Sequence, residues 1–300
     1  IDKTDLIYQL IKSGQYYFLS RPRRFGKSLL ISTLEAYFQG KKELFEGLAL
    51  AQLEKEWIEY PILHLDLNAQ KYDTPESLYS MLNNALCIWE SLYGSRPSET
   101  NLSLRFQGVI QRAAEKWNRP VVILIDEYDK PMLQAIGNEP LLNEYRNTLK
   151  AFYGVMKSCD KYIQFALLTG VTKFSKVSVF SDLNNLMDIS IDNRFANICG
   201  ITEKELLSNF KEDIVELGQK NGMTEEETKD YLKDMYDGYH FVEYGDDIYN
   251  PFSLLNTFAK MKFGSYWFET GTPTFLVELL KHSEYDLHRL TEEMTSADSL

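Results

Sequence analysis

Cysteine and histidine are both scarce in this sequence. Cys87, Cys159 and Cys199 lie far apart without CxxC spacing, and an odd number of cysteines cannot pair completely. These features argue against a disulfide framework or a zinc finger and are typical of a reducing compartment, so we expect a cytoplasmic protein. The four histidines are scattered and form no H-x-x-x-H pattern, which argues against a histidine-based metal site.

Positive charge and long apolar runs are also lacking. The 32 Lys and Arg residues are outnumbered by 44 Asp and Glu residues, so the net charge is −12 and the overall field repels nucleic acid and anionic membranes. A site that binds an anion would therefore need its own local group of positive charges. No apolar run approaches the roughly 18 residues needed to span a bilayer, so we expect no membrane contact. With 300 residues and 44% hydrophobic content, the chain can bury a full core and a second, smaller domain.

Short apolar runs alternate with helical patterns over the first two thirds of the chain. Because the apolar runs are continuous rather than alternating, they indicate a parallel sheet with helices on both faces, the α/β class. The predicted strands are 16–20, 61–67, 121–131 (five apolar residues followed by acids), 162–170 and 186–191. The predicted helices are 5–14, 27–40, 74–93 and 104–118.

After about residue 192 the strand signal fades. The segments "TEKE" (202–205) and "TEEE" (224–227) fit the capping box, in which Thr and Glu each bind the other's backbone N–H. Two helices are therefore predicted to begin there. We expect two domains, an α/β core over 1–195 and a smaller, mostly helical domain over 196–300.

The segment "SRPRRFGKS" joins the first predicted strand to a helix. A phosphate-binding loop needs a glycine, a Lys for the β- and γ-phosphates and a hydroxyl for Mg²⁺ in front of a helix. Gly26, Lys27 and Ser28 match those needs. The usual first glycine of G-x-x-x-x-G-K-[ST] is absent, because Arg21 and Pro22 stand there, so a basic turn without a ligand is the alternative.

Two further strand ends carry polar residues. In "VVILIDEYD" an apolar strand ends in Asp126 and Glu127, the order expected for a Mg²⁺ ligand followed by a residue that activates water. An ordinary solvated strand end is the alternative. The strand "FALLTG" ends at Thr169, which is either a sensor of the γ-phosphate or part of a simple turn.

The strings "YYFLSRPRRFGKSLLISTLEAYFQGKKELFEGL", "ILIDEYDKP", "LLTGVTKFSKVSVFSDLNNLMDIS", "CGITEKEL", "YDGYHF" and "IYNPFSLLN" resemble the predicted AAA-ATPase-like family of prokaryotes. In that family "RPRRFGKS" replaces the glycine-led loop. The resemblance implies a P-loop NTPase core of the additional-strand type and a mostly helical extension, similar to a lid or winged helix. It also implies a nuclease-like PD-(D/E)XK domain in many members. No Asp…Glu-x-Lys pattern appears near the end of this chain. We expect the chain to be truncated before such a domain, and the alternative is that the domain was never present.

The resemblance also implies roles for individual residues. Ser28 and Asp126 would hold Mg²⁺, and Lys27 and Glu127 would act in catalysis. Thr169 is added as a catalytic candidate from its place at the strand end alone. The predicted nucleotide contacts are Arg23, Arg24, Phe25, Gly26, Lys27, Ser28 and Leu29. The arginines of the loop either add charge at the phosphates or pair with the acidic strand ends. Arg194, just past the last predicted strand, is a candidate catalytic arginine or a surface ion pair.

Three other segments have two interpretations each. "DKT" (2–4) either lines the adenine site or caps the first helix, and the second is favoured. The aromatic segments "MYDGYHF" (235–241) and "YWFETGTPTF" (266–275) form either a binding surface or part of the core, and core packing is favoured.

The sequence thus predicts Mg²⁺-dependent ATP binding and slow ATP hydrolysis, with the nucleotide state controlling the helical domain and an attached effector. Self-association is a further expectation, and nucleic acid is expected only through a missing effector domain. The alternative is a non-catalytic nucleotide-binding or protein-interaction module with a degenerate loop. Glu127 favours the enzyme, because a binding module needs no water-activating acid. A phosphotransferase would need an acceptor pocket that the sequence does not indicate.

Overall fold

A computed structural model describes residues 1–172, 183, 185–242 and 245–266. The strands are β1 (Tyr16–Ser20), β2 (Ile62–Asp66), β3 (Val121–Asp126), β4 (Ile163–Gly170), β5 (Met187–Asp188), β6 (Ile201–Thr202) and β7 (Ile248–Tyr249). The helices are α1 (Thr4–Ser13), α2 (Lys27–Phe38), α3 (Ala49–Leu53), α4 (Pro75–Tyr93), α5 (Leu102–Trp117), α6 (Lys130–Gln134), α7 (Glu139–Ser158), α8 (Glu203–Asn209), α9 (Lys211–Asn221), α10 (Glu225–Tyr236) and α11 (Pro251–Lys260).

The first five strands form one parallel sheet in the order β2-β3-β4-β1-β5. Strand β4 therefore lies between β1, which leads into the glycine-lysine-serine loop, and β3, which ends in Asp126. In register, Leu19 of β1 pairs with Thr169 of β4, and Ile125 of β3 pairs with Leu168. All the loops that follow these strands consequently emerge at one edge of the sheet. The predicted α/β fold with an inserted strand is confirmed.

Both faces of the sheet are buried, as continuous apolar strands require. Alternate residues of β1 point to opposite faces: Phe18 belongs to a cluster with residues of α4, α5 and α7, whereas Tyr17 and Leu19 pack with residues of α1 and α2. Every residue of β3 is buried. This packing leaves only the ends of the strands accessible to a ligand.

Sequence signals at the ends of the helices and strands predicted most of their boundaries correctly. Strand β1 has the predicted bounds, α4 begins at Pro75 after Thr74, and Thr202 and Thr224 both form capping boxes. Strand β5 is shorter than the predicted 186–191, because Ser190 N donates to Asp188 Oδ1 at 2.9 Å and the chain turns there. Most of the aromatic segment 266–275 lies outside the described residues.

The chain from residue 201 onward builds its own hydrophobic cluster. Residues of α8 to α11 and of the antiparallel pair β6–β7 contribute to it, including Leu206, Leu217, Leu232 and Leu254. None of the helices in the described ranges is long and apolar enough to cross a membrane. The three cysteines are free thiols, as their spacing predicted.

Candidate functional site

The loop between β1 and α2, residues 21–26, is here called the phosphate loop. Gly26 has a φ of 95°, a left-handed conformation that favours glycine, and a Cβ atom added there would meet nothing within 4 Å. Glycine is therefore needed for the backbone conformation, and the space beside it is open. In the described part of the chain, the backbone N–H groups of residues 23–29 have no hydrogen-bond acceptor, whereas Leu30 N donates to Gly26 O at 3.0 Å. Free N–H groups in front of a helix form an anion-binding cradle.

Lys27 is a buried cation at the start of α2. Its side chain is only 4% exposed, and Nζ donates to Arg21 O at 2.9 Å and to Pro22 O at 3.1 Å. Burial lowers the pKa of Lys27, opposed by the charges of Glu127, Asp129 and Asp126. Carbonyl oxygens satisfy the ammonium only in part, so an anion in the loop would stabilise it further.

Ser28 and Asp126 meet although 98 positions separate them in sequence. Ser28 Oγ donates to Asp126 Oδ2 at 2.6 Å, and Thr169 Oγ1 donates to Asp126 Oδ1 at 2.5 Å. The contact arises because β1, β4 and β3 are adjacent and parallel, so their carboxyl ends share one edge. Hydroxyl and carboxylate oxygens are the ligands that Mg²⁺ prefers.

Glu127 has a strained backbone and a free side chain. Its φ of 53° is left-handed, which costs a non-glycine residue about 1–3 kcal/mol and is most common at functional sites. Thr169 supports this conformation, because Glu127 N donates to its hydroxyl at 3.4 Å and Tyr128 N donates to its carbonyl at 2.9 Å. The Glu127 carboxylate makes no hydrogen bond or ion pair to any described residue.

Asp129 is a functional candidate that sequence reasoning missed. The side chain is fully buried, and Oδ2 accepts hydrogen bonds from Val171 N at 2.9 Å, Thr172 N at 2.7 Å and Thr172 Oγ1 at 2.9 Å. Burial raises the pKa of Asp129. The residue fixes the chain just after β4 and so holds Thr169 in place. Its only sequence signal was a third acid in "DEYD".

A cavity of about 600 Å³ adjoins the phosphate loop. Phe25, Gly26 and Leu29 form the side nearest the loop, and most of the remaining wall is apolar. That wall includes Ile1, Ile7, Phe45, Leu48, Ile198, Phe210 and Leu255. A planar apolar group attached to phosphates in the loop has room there.

The comparisons with known proteins agree with this geometry. A family model described as "Predicted AAA-ATPase" matches residues 1–180. The chain belongs to this family. Membership points to ATP binding, and the phosphate loop of this AAA-ATPase family member begins with Arg21 where many such loops have glycine.

A curated relative extends the similarity beyond the matched region. It is described as "Uncharacterized protein in vnfD 5'region", from Azotobacter chroococcum mcd 1, and is 40% identical over 283 residues. These residues are 93% of this chain and 52% of the relative, so the chain spans about half the length of the curated relative that it matches.

The arginines of this family member lie in different surroundings. Arg21 is buried and donates to four described backbone carbonyls, those of Ser20, Ser190, Phe195 and Ala196, at 2.9–3.5 Å. Neither Arg23 nor Arg24 forms an ion pair with a described carboxylate. The spacing of the residues could not predict the Arg21 contacts, because backbone carbonyls have no residue-type signature.

Arg194 is half exposed and paired with a carboxylate. Its Nη2 atom is 2.6 Å from Asp192 Oδ2 and 3.7 Å from Met187 Sδ. Met187 is in register with Tyr17, near the start of β1, whereas the phosphate loop follows the end of β1. A contact between Arg194 and a γ-phosphate would need a rearrangement or a neighbouring chain, and its catalytic role stays a prediction.

The N-terminal segment "DKT" lies between the start of α1 and the cavity. Asp2 Oδ1 accepts hydrogen bonds from Thr4 N at 2.8 Å and Thr4 Oγ1 at 2.7 Å, at the start of α1. The same residues line the cavity beside the phosphate loop. Lys3 Nζ is 2.7 Å from Glu205 Oε2 on α8, so this wall is tied to the C-terminal helices.

Proposed function

We propose that this chain binds ATP with Mg²⁺ and hydrolyses it, with the nucleotide state controlling the helical C-terminal part. One observation carries the proposal: the Ser28 hydroxyl and the Asp126 carboxylate lie 2.6 Å apart, beside the buried Lys27 ammonium. A chance basic turn would not bring a hydroxyl, a carboxylate and a buried cation together in front of a helix.

Ser28 and Asp126 fit a magnesium ion as a pair of oxygen ligands. The described residues contain no group of three or more His, Cys, Asp or Glu side chains able to hold a metal. The remaining ligands would be phosphate oxygens and water, which is the usual arrangement for Mg²⁺ at nucleotides. When bound, the ion would neutralise charge on the phosphates.

Two side chains would act on the reacting groups, and a third would position them. Lys27 would donate to the terminal phosphates in place of its two carbonyl partners. The free carboxylate of Glu127 would accept a proton from water and orient it for attack. Thr169, which binds the Asp126 carboxylate and supports the Glu127 backbone, would hold both acids in position.

The cavity beside the loop would receive the nucleobase. Its polar side chains are already paired within the protein: Asp2 with Thr4, Lys3 with Glu205, and the hydroxyls of Ser32 and Thr33 with Leu29 O. Apolar contact would then supply most of the affinity for the base.

We therefore expect weak discrimination between purine bases. A site whose side chains make no hydrogen bond to the base cannot strongly reject a similar one, so the affinities for ATP and GTP should differ by less than about 100-fold. Competition titrations with both nucleotides measure this ratio. A preference for ATP over GTP above about 1,000-fold would mean that a group of the protein forms hydrogen bonds with the edge of the adenine ring.

The C-terminal part, residues 196–300, is proposed to be a separate mostly helical domain that responds to the nucleotide. Its hydrophobic cluster is built from residues beyond 200, and it shares the wall of the cavity through Phe210 and Leu255. Ligand in the cavity would therefore touch both parts. An effector attached to the C-terminal part would receive the change.

The direct test is phosphate release from ATP by the purified chain. We expect slow, Mg²⁺-dependent turnover that rises with protein concentration, because arginines supplied by a neighbouring subunit often contribute about 10³–10⁵ to such rates. Arg194→Ala is expected to abolish the rise and to leave ATP affinity nearly unchanged.

Two results would contradict these expectations. Binding of ATP without Mg²⁺-dependent turnover would favour the alternative, a non-catalytic module. A high rate per chain that is independent of concentration and insensitive to Arg194→Ala would mean that each chain has a complete active site.

A further inference from the structure

Three side chains of the phosphate loop rest on aromatic rings from the C-terminal part. The Arg21 guanidinium carbon is 3.8 Å from the centre of the Phe241 ring, and the Arg24 guanidinium carbon is 4.8 Å from that of Phe252. The Phe25 ring centre is 4.7 Å from that of Tyr239 and 5.6 Å from that of Phe241. The rings of Tyr239, Phe241 and Phe252 are here called the aromatic clamp.

The Phe241 ring covers a buried charge. Arg21 is 1% exposed, and burial lowers its pKa to about 10, so it remains a cation at neutral pH. Its described partners are backbone carbonyls rather than carboxylates. A desolvated guanidinium over an aromatic face is stabilised by a cation–π interaction. The Phe241 ring therefore helps to hold Arg21 in place. By holding Arg21, it also holds the start of the phosphate loop.

Phe25 sits in a close-fitting apolar site. It is 1% exposed, and a Cβ atom on Gly200 would lie 3.2 Å from Phe25 Cε1 and 2.2 Å from Ile248 Cγ2. Gly200 also has a φ of 92°, so both its backbone and the space beside it require glycine. The middle of the phosphate loop is thereby packed against the strand pair β6–β7 and Tyr239.

The loop needs such support because its own backbone is strained. Arg24 and Gly26 have φ values of 68° and 95°, and a left-handed non-glycine residue persists only when its surroundings hold it. Arg24 and its neighbour Phe25 contact the aromatic clamp, as does Arg21 at the start of the loop. None of the three clamp rings lines the cavity proposed for the base.

We propose that Tyr239, Phe241 and Phe252 are positioning residues that hold the phosphate loop in its anion-binding shape. The phosphate site is then assembled from both parts of the chain, although no C-terminal ring touches the phosphates. The effect of the aromatic clamp on nucleotide affinity rests on the proposed function. The effect of the clamp on the shape of the loop rests on the loop geometry alone. It assigns a role to the "YDGYHF" segment, for which the sequence left a binding surface and core packing as alternatives and favoured the core.

The test compares variants of the full 300-residue chain at position 241. Phe241→Leu keeps an apolar side chain but removes the aromatic face, and should lower affinity for ATP and for tripolyphosphate by about five- to thirtyfold. Affinity for adenosine should fall much less, because no clamp ring lines the cavity and the loop residues Phe25 and Gly26 form only one side of it. Phe241→Tyr retains the face and should bind like the wild type. The matched control is Tyr231→Leu, which removes a ring that packs on Phe263 at 4.6 Å within the same part of the chain.

A second measurement is independent of nucleotide. Hydrogen exchange of the amides of Arg21 and Leu30, which donate to Gly170 O at 3.1 Å and to Gly26 O at 3.0 Å at the two ends of the phosphate loop, should be faster in Phe241→Leu than in the wild type, in Phe241→Tyr or in Tyr231→Leu, each measured without nucleotide. Unchanged exchange at these amides would overturn the proposal. So would an equal loss of affinity for ATP and adenosine, which would indicate general destabilisation. If the wild type binds no nucleotide, the proposed function fails, and the exchange measurement alone decides whether the aromatic clamp holds the loop.

Discussion

Replacing Glu127 by Gln is expected to lower ATP turnover by about 10²–10⁴, the range for loss of a general base. This corresponds to about 3–5 kcal/mol of transition-state stabilisation. The substitution keeps the size of the side chain and its left-handed backbone but removes the carboxylate, which has no partner among the described residues. ATP should still bind, because Glu127 is not proposed to hold the nucleotide. Single-turnover phosphate release at saturating ATP measures the effect.

The matched control for this variant is Glu115→Gln. Glu115 is an exposed residue of α5, so the change removes the same charge away from the phosphate loop. We expect it to leave turnover unchanged. Wild-type turnover in Glu127→Gln would mean that Glu127 serves the structure only, and the strained backbone would then need another explanation.

The second large effect is expected at Lys27. Replacing this residue by Ala should weaken ATP binding by at least about 100-fold, because hydrogen bonds from an ammonium to phosphates contribute about 1.5–3 kcal/mol each. Calorimetry on protein whose fold has been checked by circular dichroism measures the affinity. Lys27→Met keeps the apolar stem of the side chain and should show the same loss, which would attribute it to charge rather than to packing.

Lys116→Ala provides the control for Lys27. Its Nζ also donates to a backbone carbonyl, Leu92 O, at 2.9 Å, but on the exposed end of α5. ATP affinity should be unchanged in this variant. A folded Lys27→Ala protein with wild-type affinity would rule out the phosphate-loop assignment.

The sheet could be predicted because each strand carries its own signal. The run "VVILID" is apolar at every position up to its acid, and this pattern is typical of a strand buried on both faces. The family resemblance implied that Ser28 and Asp126 share one Mg²⁺, and they meet across 98 positions because the ends of parallel strands lie at one edge of the sheet. The capping interactions at the starts of α4, α8 and α10 are local in sequence, and these starts were predicted accurately as well.

The surroundings of the phosphate loop could not be predicted in the same way. Arg21 was identified as a departure from the glycine-led motif, but its partners are backbone carbonyls near residues 190–196, which any residue type could supply. The ring of Phe241 was assigned to the core without a partner. Tertiary contacts of this kind depend on how two segments that are distant in sequence pack together. Neither hydrophobic periodicity nor motif spacing predicts that packing. Asp129 could not be identified from the sequence for the same reason, because the turn after β4, which is distant in sequence, buries its side chain.

Calorimetric titration of the chain with a non-hydrolysable ATP analogue, with and without Mg²⁺, tests the central claim most directly. The account predicts saturable binding of one nucleotide per chain, tighter with Mg²⁺ because Ser28 and Asp126 share the ion with the phosphates, and competition by tripolyphosphate. Absence of saturable binding, or binding that neither Mg²⁺ nor tripolyphosphate affects, would contradict it, because the loop, the hydroxyl and the carboxylate would then hold no phosphate.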